Sequence, residues 1–532
     1  MMRSHNATGL PFGKGLVRLV VIALMAVGCT PSGDLGAETT TTAVGETTTT
    51  GGETTPETTS AGGGELTVAH DRTVVSLDAH GDQSTAPPTL MVNGHVFDTL
   101  VTYNGQIFEP SLATEWSNPD DRTWVFQLRD DVKFHDGQPL TAEDVAASLN
   151  RVMEVNIRMV DLWSEFESIE ATGEYEVTLK TTVPLGTVLS NLTLLSIGPA
   201  DQMNNEGFWN NPVGSGPFKL EEFTPDQRVV LVRNDDYWNG PPSLERVVIE
   251  EIPETATRMT ALETGEIQLT WDIPPDQFQR LADNPDIETV TSAGFGYIFI
   301  WFNHQLEVFQ DIRVRQALWH ALDLEQIVAD LFPGVGLVGR APVPEPVFGW
   351  SENEPYTYDP DLARSLLAEA GYPDGFSATI LAGANPPNIE DFVQVLISYW
   401  AEIGVNVEYI PQEQAEFIDA FFALEFDLVA SGNSSITGDE DYIMSRFYTC
   451  EAFRMGLCDE ELTDIINASR SAVDQNERLE LFALANARMW EQAYAIWPVD
   501  TFGTYAWRKN VIGFEPPLDA LPRFDTLSLE GG

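Results

Sequence analysis

The sequence predicts an α/β fold, and three observations carry the prediction. Strand-like alternation and helix-like periodicity are interleaved along the whole body rather than segregated into blocks. No internal repeat of fixed period appears, which argues against a solenoid or propeller. Of 532 residues, 43% are hydrophobic and 10% aromatic, enough to bury a large core. At about 100–200 residues per domain the length corresponds to two to four domains.

The elements follow in order. Leu66 and Val68 alternate with polar neighbours, a first strand over 65–69. An apolar segment covers 97–103. Trp124, Phe126 and Leu128 alternate with polar residues, the pattern of a half-buried strand. Asp136-Gly137 reads as a turn. Thr141 with Asp144 three residues later is a capping box opening a helix over 142–153. Strands are expected over 229–233 and 246–252. A helix over 254–263 is closed by Gly265, and another over 311–321 is capped by Asp311. Asp359, Pro360 and Gly371 bracket a further helix, with Pro at the first helical position. A helix over 391–402 ends at Gly404 before a strand over 405–410. Helices over 460–471 and 476–493 complete the set.

Charge narrows the function. The chain has 82 acidic against 28 basic residues, a net charge of −54. Residues 1–64 contain only 5 acids and 3 bases, so the acidity belongs to the body. This excludes a nucleic-acid surface, where phosphate contacts need a basic footprint. It also opposes docking on anionic lipid. A solvated acidic surface keeps such a body soluble and monomeric.

The N-terminus reads as an address. Arg3, Lys14 and Arg18 precede the apolar run 19–28, which is too short to span a membrane. Ala26-Val27-Gly28-Cys29 resembles a bacterial lipobox, so residues 1–29 are read as a lipoprotein signal peptide ending at a lipidated Cys29. An ordinary secretory signal is the alternative. Residues 30–64 are Thr-, Glu- and Gly-rich with almost nothing apolar to bury, a disordered tether of roughly 30 Å r.m.s. span. Cys450 and Cys458 lie close together in an exported chain, and a disulfide between them is expected.

Several chemistries lack their motifs. The seven His show no zinc spacing and no Cys lies near them, so no metal site is expected. There is no phosphate-binding G-x-x-x-x-G-K-[ST]. Gly214-Ser215-Gly216 lacks the third glycine of a dinucleotide fingerprint. No G-x-S-x-G elbow occurs. No cofactor and no catalytic residue is assigned.

One family then comes into view. Leu112-Ala113-Thr114-Glu115-Trp116, Trp124-Val125-Phe126-Gln127-Leu128-Arg129 and the run from Val132 through His135-Asp136-Gly137 to Val145 closely resemble the signature of the family 5 extracellular solute-binding proteins. Gly214-Ser215-Gly216-Pro217-Phe218 resembles their G-[TS]-G-P-[YF] segment, and Asn234-Asp235-Asp236-Tyr237-Trp238 their N-x-x-Y-W. Asp311-Ile312-Arg313-Val314-Arg315-Gln316-Ala317-Leu318 and the helix from Tyr358-Asp359-Pro360 to Gly371-Tyr372 match two further segments. The resemblance spans 65–515 in order. Most of these residues are expected to determine the fold: His135 as a loop histidine, Arg313 and Arg315 in structural ion pairs.

The resemblance implies a two-lobed periplasmic-binding-protein-like fold of type II with an extra domain and hinge strands between lobes. Lobe I would combine 65–96, 212–292 and 498–532, the extra domain 97–211, and lobe III 293–497. The hinge would pass through 295–303 and near 497–502. The function implied is a non-catalytic receptor of an ABC importer, tethered to the outer face of the cell membrane beside its permease and ATPase. Peptides are the first expected ligand, an oligosaccharide the second and a nickel complex the third. A secreted hydrolase using an acid pair is the alternative from another class.

Cleft candidates follow from the same resemblance: Ser84, Trp301, Asn303, Arg340, Trp350, Gly432, Asn433 and Asp439. Peptide-binding members hold the ligand ammonium with an Asp after a Gly-Trp segment. An ungapped alignment puts Asn433 at the Trp and Ile436 at the Asp, whereas a gap would bring Asp439 into that role. Trp301 and Trp350 either sandwich a ligand group or pack the core. Arg340 either pairs with a ligand carboxylate or sits on the surface.

Overall fold

The computed structural model describes residues 64–157, 159–383 and 388–530. The expected signal peptide, lipidated Cys29 and tether up to residue 63 lie outside the described residues. None of the described helices is long and apolar enough to cross a membrane.

An eleven-stranded sheet organises the body. From one edge its order is Asn406–Ile410, Ser377–Ala382, Leu428–Ser434, Ile287–Phe302, Ala495–Arg508, Leu269–Trp271, Glu65–His70, Arg246–Glu251, Arg228–Arg233 and Phe218–Thr224, with Gly336–Val338 also on Ala495–Arg508. Two strands are far longer than the rest: Ile287–Phe302 has 16 residues and Ala495–Arg508 has 14. They pair with each other along nearly their whole length. Near one end, Trp507, Ala506 and Tyr505 pair with Leu269–Trp271. At the other end, Gly296–Phe302 pair with Leu428–Ser434. Each end is covered by its own apolar cluster. Leu66, Val68, Val247, Leu269 and Phe524 belong to the first half; Ile298, Ile300, Trp301, Leu428 and Val429 belong to the second.

The two long strands are therefore the crossing between two halves, and their ladder is irregular there. Register shifts between Ala293 and Gly296, opposite Phe502 and Thr501. A bulge leaves backbone unpaired and bends the strand, which suits a hinge. A Cβ on Gly296 would lie 2.6 Å from Thr501 Oγ1, so the close approach needs glycine. Residues 295–302 and 497–502 lie on these strands, and Asn303 follows the first directly.

A separate four-stranded antiparallel sheet, Ala113–Asp120, Thr123–Leu128, Glu176–Thr181 and Phe166–Gly173, has its own core. Trp124, Phe126 and Leu128 bury on one face, as their alternation demands. The Thr141 N–H donates to the Asp144 carboxylate at 2.8 Å and opens helix Ala142–Val155. Glu254 caps helix Thr255–Thr264 and Gly265 ends it at φ 83°. Asp311, Asp359, Asp459 and Asp474 each accept a hydrogen bond from a backbone N–H of the helix that follows.

The remaining family-like segments serve the fold. Asp98 is buried and accepts from Ser215 Oγ (2.7 Å), the Tyr237 hydroxyl (3.0 Å) and Trp238 Nε1 (3.1 Å), which ties two distant segments to one carboxyl. The His135 ring bridges the Gly214 N–H (3.3 Å) and the Gly216 carbonyl (3.0 Å). Burial lowers its pKa to about 4, so it is neutral at physiological pH. Arg313 pairs with Asp311. Arg315 departs from the expected ion pair. It is buried and donates to the carbonyls of Phe309, Gln310, Gln492 and Ala493, satisfying chain ends between helices. Cys450 and Cys458 are joined by a disulfide.

Candidate ligand cleft

A cavity of about 190 Å³ opens beside the bulge, between the two halves. The first half contributes His70, Asp71, Arg72, Trp271, Asp272 and Asp519; the second contributes Tyr297, Gly432, Asn433, Ser434 and Ile436. Thr501, Phe502 and Gly503 of the hinge form the floor. The volume is below the ~300–1,000 Å³ of drug-sized pockets, so it suits a small ligand.

Charge is confined to the first half. Arg72 Nη2 meets Asp272 Oδ2 at 3.1 Å, and its Nε lies 3.7 Å from Asp71. The buried Arg258 guanidinium is 3.9 Å from Asp71. Removal from bulk water raises the Asp272 carboxyl above its usual range, with Arg72 opposing. The imidazole of His70 accepts from the Arg72 N–H at 3.2 Å and stacks on Trp271 at 5.7 Å. Burial lowers its pKa to about 4, leaving it uncharged.

The second half offers backbone. Leu428–Ser434 pairs on one side with the hinge strand up to Ser434. On its other side the partner Ser377–Ala382 reaches only Ala430. Among the described residues, Ser431 to Ser434 have no strand on that edge, and Gly432, Asn433 and Ser434 line the cavity.

Of the eight cleft candidates, only Gly432 and Asn433 line the cavity. Trp301 is fully buried, stacked on Phe299 (4.4 Å) and Phe421 (5.3 Å), with Nε1 donating to the Tyr448 hydroxyl at 3.1 Å. It is core and cannot sandwich a ligand. Trp350 packs on the same core away from the cavity. Asn303 donates to the Leu424 and Phe426 carbonyls at 3.2 and 2.9 Å, a loop clamp. Ser84 accepts from Asn156 Nδ2 at 3.1 Å. Arg340 is 3.9 Å from Glu325 on the surface. Asp439 is 1% exposed, is held by Arg478 and does not line the cavity. Ile436 lines the cavity. Among the described residues, no group of three or more potential metal ligands occurs.

Asp71, Arg72, Asp272 and Asp519 also line the cavity and are not among the residues expected there. Asp71 and Arg72 follow directly after the first strand, and ligands in α/β sheets gather at the carboxyl ends of strands. That signal was present for these two. Asp272 and Asp519 needed the topology.

Asp500 precedes the cavity floor. Burial raises its carboxyl to about 7, and Glu345 adds to the shift. The native state thus binds a proton that the unfolded chain releases near pH 4. Stability from this group is present at low pH and lost as pH rises from about 4 to about 7. The fall in Tm between pH 5 and 7.5 is expected to be shallower in Asp500→Asn than in the wild type. Parallel curves would contradict it.

A family model described as bacterial extracellular solute-binding proteins, family 5, middle region, matches residues 108–454. The chain is 27% identical over 463 residues to the dipeptide-binding protein of Escherichia coli K12, covering 79% of this chain and 86% of that one. It is 26% identical over 456 residues to heme-binding protein A of Haemophilus influenzae, covering 76% and 83%. It superposes at TM-score 0.74 and 25% identity on DppA from Helicobacter pylori in complex with the peptide STSA, covering 88% and 98%. With the hinged sheet and a cavity at its crossing, these matches establish that the chain belongs to the bacterial extracellular solute-binding proteins, family 5.

Proposed function

We propose that the chain is the peptide receptor of an ABC importer. One observation carries the ligand class: Gly432–Ser434 line the cavity and, among the described residues, have no strand on the side away from Ile287–Phe302. An extended peptide adds to such an edge through main-chain hydrogen bonds, while its side chains stand in the surrounding space. A peptide-bound relative and a dipeptide-binding relative support the reading. The small cavity favours di- and tripeptides.

The hinge supplies delivery. In this reading, 65–96, 212–292 and 498–532 form lobe I, 97–211 the extra domain and 293–497 lobe III, and bending at 293–296 and 501–502 closes the lobes on the ligand. A lipid on Cys29 and the 30–64 tether hold the receptor at the outer face of the membrane. That raises its local concentration at the permease. The receptor acts as a monomer, and capture, closure and release require no covalent chemistry.

A thermal-shift panel of di- to pentapeptides, cello- and xylo-oligosaccharides and nickel tests this. A peptide at a hundredfold excess over its Kd should stabilise by about 2.7 kcal/mol. A shift with a sugar and with none of the peptides would sink the peptide reading. Turnover of the bound compound would sink the receptor reading.

A further inference from the structure

The extra domain that carries the four-stranded sheet is joined to the two halves in different ways. The chain enters it after helix Pro87–Val96 and leaves it for strand Phe218–Thr224, and both of these elements pack in the first half. Buried groups reinforce that join. The Asp98 carboxyl holds Ser215, Tyr237 and Trp238. Both terminal nitrogens of Arg151 donate to the Asp78 carboxylate, each at 2.8 Å, and Asn156 Nδ2 donates to Ser84 Oγ at 3.1 Å. The extra domain therefore travels with the first half.

Its links to the second half are partly hydrated. The Gly186 N–H donates to the Arg470 carbonyl at 2.7 Å. Arg470 Nη2 returns a bond to the Asp161 carbonyl at 2.9 Å. Arg446 Nη1 lies 3.2 Å from Asp161 Oδ2, and these two side chains are 21% and 39% exposed. Beside them Tyr442 packs against the cores of both the second half and the extra domain. A Cβ on Gly186 would lie 1.9 Å from the Ala472 carbonyl oxygen, so the backbones leave no room for a side chain there. Partly exposed ion pairs and single hydrogen bonds are individually weak, which suits a contact that is made and broken.

Bending at 293–296 and 501–502 swings the second half, and the extra domain, fixed to the first half, cannot follow. Asp161 and Gly186 must then part from Arg446 and Arg470. With the contact made, residues of both halves meet around the cavity of about 190 Å³. We propose that the extra domain is a latch. Asp161 and Gly186 engage Arg446 and Arg470 only when the halves close, and so raise the population of the closed receptor without touching ligand. Apparent affinity scales with that population, which makes these four positioning residues remote from the cleft. The inference rests on the hinge and the domain division proposed above, and not on the ligand being a peptide.

Small-angle scattering and hydrogen exchange of the full chain without ligand test it, with Arg446→Met and Gly186→Ala as variants. Methionine removes the charge and keeps an apolar stem near the Tyr442 ring, over which the guanidinium now sits at 4.8 Å. Alanine wedges the contact apart. Each variant should have a larger radius of gyration than the wild type. Exchange of the Gly186 amide should rise roughly twofold to fivefold in Arg446→Met, while helices Ala142–Val155 and Gln475–Glu491 exchange as in the wild type. Arg446→Met carries the decision alone if alanine disturbs the fold. An unchanged radius in Arg446→Met, even with faster exchange at Gly186, overturns the latch, because the contact is then local. Faster exchange throughout either helix in that variant also overturns it, because Arg446 then merely holds the fold. A failure of Ala-Ala to bind would sink the peptide reading and leave this test standing, since every reading is taken without ligand.

Discussion

Replacing Arg478 by methionine is expected to lower the unfolding free energy by about 3–5 kcal/mol. Arg478 has no exposed surface, and Asp439 is 1% exposed. The guanidinium meets both carboxylate oxygens, Nη1 to Oδ2 at 2.8 Å and Nη2 to Oδ1 at 2.9 Å. Its Nε donates to the Ser469 carbonyl at 3.2 Å, and its charge sits 5.2 Å from the Phe348 and Phe482 rings. Removing it strands a buried carboxylate beside Glu440 and Asp441, whose own carboxyls burial already pushes up. The companion variant Arg478→Met/Asp439→Leu should recover much of the loss, because both charges then leave together. Urea denaturation measures both. A loss below about 1 kcal/mol in the single variant would show that the pair is not the anchor described. Ligand affinity of the folded fraction should not change, since neither residue lines the cavity.

Trp301→Ala should cost a similar amount, about 3–5 kcal/mol. The indole is enclosed by Phe299, Phe421, Phe447 and Tyr448. Its N–H and that of Trp497 share the Tyr448 hydroxyl at 3.1 and 3.2 Å. Truncation therefore leaves a cavity and removes one donor of a buried cluster. Chemical denaturation should show the loss, and titration at low temperature should show near-wild-type affinity. A stable variant with lost affinity would put Trp301 back at the ligand.

Sequence periodicity was informative where one face is buried and the other wet. Thr123–Leu128 shows this, as do the Asp-capped helices, whose cap chemistry is local. It was weak along the hinge. Of the strand Ile287–Phe302 only the part from residue 295 on was expected, at the hinge, because its first part carries Thr, Ser and Gly in a partly exposed crossing. The strand Ala495–Arg508 was hidden for the opposite reason. Its first five residues are all buried, so no period-2 pattern marks them.

The cleft was harder to read than the fold. A tryptophan in an apolar strand has the same sequence whether it packs or stacks, so Trp301 and Trp350 could not be sorted without coordinates. The burial of Asp439 was not legible because its partner Arg478 lies 39 residues away, on helix Gln475–Glu491. The charged wall is assembled from residues 71–72, 272 and 519, which only the strand order brings together.

The central claim is that small peptides are held in the cavity at the crossing of the two long strands. A crystal structure with bound Ala-Ala tests it most directly. The peptide should lie along Gly432–Ser434 inside the cavity, its backbone bonded to that strand segment. Peptide density elsewhere, at Trp350 or Arg340, or an empty cavity at saturating ligand, would contradict the account.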